Sequence, residues 1–256
     1  MKSPDKFSLN SNMKSYQPKS PQAYLDNMLK SRGYSTQCFC SLESGYYNKP
    51  TCLQKSSYGI KLVQAIRSSN VELISKLLSC GLSRNPCNAF GESVIHMVCR
   101  RNDYRMLKCL VDHGCSLQIS DDFGRTPLHD TCWTSEPNFD CIELILDTDP
   151  RLLHILDCRG SYPLSYVKKE NWGQWIDFFK RKKDVYWKKR DLTEEGEQRP
   201  PELVGFPPHS CPVEDPRNAP PLEIANSLSR GTLIPDDYLN EKKWSRTVVW
   251  KDLFSH

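Results

Sequence analysis

The sequence predicts an all-α solenoid: about four stacked helix-turn-helix units joined by β-hairpin loops and flanked by weakly ordered arms. Three observations carry this. A phrase recurs at a spacing near 33 residues. Each copy holds two short runs whose apolar residues fall at helical spacing. Only 38% of the 256 residues are hydrophobic and 18 are proline, too apolar-poor a chain to pack from end to end.

The repeat is read from glycines first. Gly91, Gly124 and Gly160 are spaced by 33 and 36 and sit in "FGESVIHMVC", "FGRTPLHDTC" and "RGSYPLSYVK". Gly81 and Gly114 are also 33 apart, and counting 33 back from Gly91 lands on Tyr58. Leu62, Ile95, Leu128 and Leu164 then share one position, and Ala65, Val98, Thr131 and Val167 another. The units are 58–90, 91–123, 124–159 and 160–190, together one domain over 58–190. The third holds three extra residues, two placed in the turn "TSEPNFD" and one near "TDPRLL". Lengthening a turn costs little entropy.

Within the second unit the helical runs are "SVIHMVCRR" and "DYRMLKCLVDH". Met106, Leu107, Leu110 and Val111 line one face of the latter, and Gly114 stops it. Pro127 and Pro163 fall at helix starts, where a missing N–H is harmless. One such pair cannot bury its apolar face alone, so the core comes from stacking neighbours.

"GRTPLHDTC" resembles the ankyrin repeat, whose signature is T-P-L-H-x-A in a unit of about 33 residues. The resemblance covers about residues 58–180. Asn88, Asp121 and Asp157 fit the family's hairpin-loop Asp/Asn. The outer units depart from the pattern: the first lacks the glycine and the TPLH phrase, and the last is rich in Trp172, Trp175, Phe178 and Phe179. Terminal repeats are usually atypical because they cap the stack.

Two His-x-x-Cys pairs, His96/Cys99 and His129/Cys132, fit by residue type a zinc site or a thiol–imidazole pair. The resemblance implies a structural reading instead. Both histidines fall on the TPLH histidine, which ties a helix start to the neighbouring hairpin, and both cysteines replace a packed alanine. Zinc needs four ligands at about 2.0–2.3 Å, and pairs displaced by a helix diameter of about 10 Å do not close on one ion. Cys38, Cys40 and Cys52 include a Cys-x-Cys spacing that is unusual for zinc. The sequence lacks GxSxG, P-loop, GxGxxG and HExxH motifs. Neither an enzyme, a metal nor a cofactor is expected.

What the resemblance implies is a protein-binding scaffold, with contacts from hairpin tips and exposed first-helix positions on a concave face. Here the tips offer Phe90, Glu92, Phe123, Arg125, Arg159 and Ser161. The first helices offer Arg67, Arg100, Arg101, Trp133 and Lys169. This strip is basic and aromatic, and Arg and Trp are favoured anchors. The expectation is a monomeric, non-catalytic adaptor that binds an acidic segment of a protein partner.

Charge is distributed unevenly: net +5 over 1–57, −2 over 58–179, +6 over 180–190 and −5 over 191–256. The N-terminal arm, 1–57, is expected to be mostly disordered, with a short helix near 22–32 carrying Tyr24, Leu25, Met28 and Leu29. The Pro-rich acidic tail, 191–256, reads as a segment without a core, to act as a docking peptide or to fold back on the repeats. "KRKKDVYWKKR" (180–190) supports the alternative function, a nucleic-acid-associated or nuclear regulator, against a solvated helix end. "MKSPDKFSLN" lacks the apolar run of a signal peptide. No run reaches the roughly 18 apolar residues of a membrane helix, so no membrane partner is expected. Twelve cysteines without a secretory signal point to a reducing compartment, cytoplasmic or nuclear.

Overall fold

The computed structural model describes residues 20–189 and 215–242. Three helix pairs form its centre. They are α3 (Ile60–Arg67) with α4 (Val71–Ser79), α5 (Val94–Arg100) with α6 (Tyr104–Asp112), and α7 (Pro127–Cys132) with α8 (Phe139–Thr148). Asn70, Asp103 and Asn138 cap the second helix of each pair with a side-chain oxygen that accepts a backbone N–H. The last two caps are 35 residues apart rather than 33, so two extra residues of the third unit lie in its inter-helix turn. First helices stack on first helices and second on second. Leu62, Ile95, Leu128 and Leu164 form a buried column along the stack, in the register read from the sequence.

The fourth unit differs from the helix pair expected. Its first element is a 3-10 turn, Pro163–Tyr166, followed by a second at Lys169–Asn171 and then by α9 (Trp172–Tyr186). Ser165 stands where His96 and His129 stand, so the imidazole bonds that hold the other helix starts are lacking there. On α9, Trp175, Phe178 and Phe179 are buried, and Phe139 of α8 stacks on Phe178 at 4.8 Å between centroids. The basic run 180–183 is part of this helix.

The arms depart most from expectation. Residues 20–57, read from composition as mostly loose, are built into the stack. α1 (Pro21–Ser31) lies against α9 at the C-terminal end and buries Leu25 and Leu29. The chain then runs back along the bases of the hairpin loops as a strap. β1 (Phe39–Cys40) pairs in parallel with β2 (Ile155–Leu156). Ser41 Oγ donates to Gly124 O at 2.7 Å, Ser120 N to Tyr46 O at 2.8 Å, and Gln54 Nε2 to Asn85 O at 3.0 Å. The strap ends in α2 (Cys52–Ser56), beside the first unit. These contacts satisfy backbone groups that the hairpin edges leave open.

The described part of the tail folds back. α10 (Leu222–Arg230) packs on α2 and α3 at the opposite end and buries Ala225 and Leu228. Each terminal region therefore covers the end of the stack distal to it in sequence. Residues 1–19, 190–214 and 243–256 lie outside the described residues, and with them the rest of both predicted arms.

Candidate protein-binding face

Each hairpin is closed by one side-chain oxygen. Asn88 Oδ1 accepts the amides of Phe90 and Glu92, Asp121 Oδ1 those of Phe123 and Arg125, and Asp157 Oδ1 those of Arg159 and Ser161, all at 2.8–3.1 Å. Gly91, Gly124 and Gly160 take the left-handed turn conformation at φ near +70° to +74°. Neighbouring hairpins are joined through backbone: Asp122 N donates to Phe90 O at 3.0 Å, and Cys158 N to Phe123 O at 2.9 Å. The tips thus form a continuous edge.

The histidines join this edge to the helices. His96 Nδ1 accepts the Ser93 amide at 3.2 Å, which leaves Nε2 as the protonated nitrogen, 2.9 Å from Arg125 O in the next hairpin. His129 repeats the arrangement with the Thr126 amide at 3.1 Å and Ser161 O at 3.2 Å. Burial pulls the His129 pKa down to about 4, so the ring is neutral. Cys99 and Cys132 are buried, and burial pushes both thiols up, away from the reactive thiolate. Among the described residues no three His, Cys, Asp or Glu side chains are grouped to hold a metal ion. Cys38 and Cys40 are half-buried and Cys52 is exposed.

The ten residues proposed from sequence separate into two sets. Phe90, Phe123 and Trp133 are 60%, 50% and 53% exposed, values that mark them as unburied by the stack. Arg67, Arg101, Arg159 and Lys169 are exposed as well, and Arg101 Nη2 reaches only the Arg67 carbonyl at 2.7 Å. The remaining three are half-buried and internally paired. Arg100 bridges Glu92, and its Nη1 lies 3.4 Å from Asp130 Oδ1. Arg125 grips Asp121 Oδ2 through Nε at 2.9 Å and Nη2 at 2.6 Å, with its guanidinium 5.2 Å from the Phe123 centroid. The strip is thus less basic at its centre than the sequence suggested.

Residues 62–168 match a family model described as ankyrin repeats, in three copies. Residues 62–168 are ankyrin repeats. A curated relative, cyclin-dependent kinase inhibitor 2A of Monodelphis domestica, is 26% identical over 144 residues, which are 56% of this chain and 81% of the relative. The ankyrin match stops before α9, the aromatic-rich helix that departs from the pattern.

Two residues on the ankyrin face were missed in the sequence. Asp130 and Tyr166 share a repeat position with Gln64 and Met97. Tyr166 stands beside Trp133, with centroids 6.1 Å apart, and its hydroxyl bonds Asp157. Comparing that column across the units singles out Asp130 as its one charged member.

The basic segment is partly neutralised. Lys180 pairs with Asp177 at 2.9 Å and Lys182 with Glu143 at 2.8 Å, while Asp184 pairs with Arg32 of α1. Trp187 is buried, and Tyr186 donates to Asp147 at 2.7 Å.

Proposed function

We propose that this protein is a non-catalytic adaptor whose ankyrin face of first helices and hairpin tips binds a segment of another protein. Ankyrin repeats are non-enzymatic interaction modules, and the relative's name makes it an inhibitor of a protein kinase, itself a role in protein binding. The observation that carries the reading is the exposure of Phe90, Phe123 and Trp133 in a stack whose two ends and hairpin bases are covered by its own arms. Exposed aromatics flanked by Arg67, Arg101, Arg159 and Lys169 suit a partner segment with apolar residues and carboxylates. The alternative through 180–190 has less support, since Lys180 and Lys182 are already paired with acids.

The test is affinity capture from native lysate with the wild-type chain, a Phe90→Ala/Phe123→Ala/Trp133→Ala variant and an Arg67→Glu/Arg101→Glu/Arg159→Glu variant. Both variants are expected to lose the same set of captured proteins. Capture that is unchanged by both would overturn the reading.

A further inference from the structure

Asp130 is the anomalous charge of the ankyrin face. Its side chain is 1% exposed, and its Oδ2 has no hydrogen-bond partner among the described residues. A buried carboxylate without full pairing is costly and calls for an explanation. Its surroundings supply little. From α5 come His96, whose ring nitrogens are occupied by Ser93 and the Arg125 carbonyl, the buried thiol of Cys99, and Arg100, whose contact at 3.4 Å is long and whose other terminal nitrogen bridges Glu92. From the hairpin come Arg125 and Asp121, which are paired with each other. From the adjoining 3-10 turn comes Tyr166, which bonds Asp157. Burial pushes the Asp130 carboxyl up from its ordinary value, opposed by the nearby His96, Arg100 and Arg125 and reinforced by Asp121.

Arg100 is the member of this group that reaches the surface, where its Nη2 bridges Glu92. It is 29% exposed and stands between two carboxylates, buried Asp130 and half-buried Glu92. Resting on the reading that the face takes a carboxylate-bearing segment, we infer that Arg100 passes from Asp130 to a carboxylate of the bound partner, and that Asp130 then takes up a proton from solvent. With Arg100 withdrawn, Asp130 keeps no ion-pair partner among the described residues, because Arg125 is held by Asp121. Protonation removes the uncompensated buried charge. Binding to this face is therefore linked to proton uptake and strengthens as pH falls, by at most about tenfold per pH unit for one proton.

The probe is a synthetic Glu-rich peptide carrying one Trp, titrated calorimetrically into the full chain at pH about 6 and about 8, where glutamates of ordinary pKa stay ionised. Each titration is run in buffers of different ionisation enthalpy. Proton uptake by the wild type that disappears in Asp130→Asn, with the peptide still bound, is the expected result. Equal uptake by the variant, or binding without uptake, overturns the hand-off and leaves the binding face standing. Absence of binding at both pH values overturns the acidic-segment reading itself and the hand-off with it. Carbon NMR titration of the Asp130 carboxyl in the wild type, with and without peptide, provides the same decision if Asp130→Asn does not fold.

Discussion

The Tyr46 hydroxyl donates to Asp149 Oδ2 at 2.6 Å across 103 residues of chain. Both side chains are buried, and Asp149 also accepts from Gln118 Nε2 at 2.8 Å and Arg151 Nε at 2.8 Å. One tyrosine in the strap thus completes the bonding of a carboxylate in the third ankyrin unit. Tyr46→Phe removes one bond to a buried ion while leaving those from Gln118 Nε2 and from Arg151 N, Nε and Nη2. We expect a loss of about 1–3 kcal/mol in urea unfolding and faster amide exchange along 38–54. An unchanged unfolding midpoint would show that the strap contributes nothing through this contact.

Glycine at the hairpin that opens the third unit has a second role. Gly124 has φ +74°, and a Cβ there would lie 2.3 Å from Ser41 Oγ of the strap and 3.0 Å from Cys158 N. Gly160 has the same φ with nothing within 4 Å of such a Cβ. Gly160→Ala is expected to cost about 1–2 kcal/mol, the conformational penalty alone. Gly124→Ala is expected to cost more and to loosen the strap at Ser41. Equal losses for the two variants in chemical unfolding would refute a strap contact at Gly124.

Acid stability reports on two histidines. Burial lowers His129 and His154 from 6.5 to about 4, and neither ring nitrogen of His154 has a hydrogen-bond partner among the described residues. The unfolded chain binds these protons first, so the contribution of each neutral ring is complete above about pH 6.5 and is lost as pH falls toward about 4. At about 1.4 kcal/mol per pH unit, each site can remove up to about 3 kcal/mol across that window. His154→Leu is expected to flatten the wild-type decline there and to raise stability near pH 5. Parallel stability–pH curves for wild type and variant would contradict this.

The returning helix α10 acts on one end only. Leu228 is fully buried against the first unit, and Leu→Ala changes at such sites cost about 2–5 kcal/mol. Repeats touch only their neighbours, so the loss is expected to remain local. Hydrogen exchange of Leu228→Ala is predicted to accelerate in α10 and α3 while α7 and α8 keep their protection. Uniform acceleration across all units would mean that the stack unfolds as one.

Much of the ankyrin scaffold was legible because its contacts are local or periodic. Asn88, Asp121 and Asp157 each bond amides two and four residues ahead, and His96 and His129 each bond one three residues back, so a 33-residue register exposes them. The exposure of Phe90, Phe123 and Trp133 followed from the same register. The pairing of Arg100 and Arg125 did not. A repeat column states which way a side chain points, but the charge that meets it comes from another column, as Asp130 meets Arg100.

By itself, then, the sequence determined the repeat, its hairpin turns and the apolar column that stacks one unit on the next. Only the tertiary structure decided that α1 closes the far end of the stack, that α10 closes the near one, and that the strap joins hairpin to hairpin. The physical reason is period. Tyr46, Ser41 and Gln54 lie in a segment without repetition, and their partners are 103, 83 and 31 residues away. A composition rich in Ser, Lys and Pro looks loose until the groups it satisfies are brought beside it.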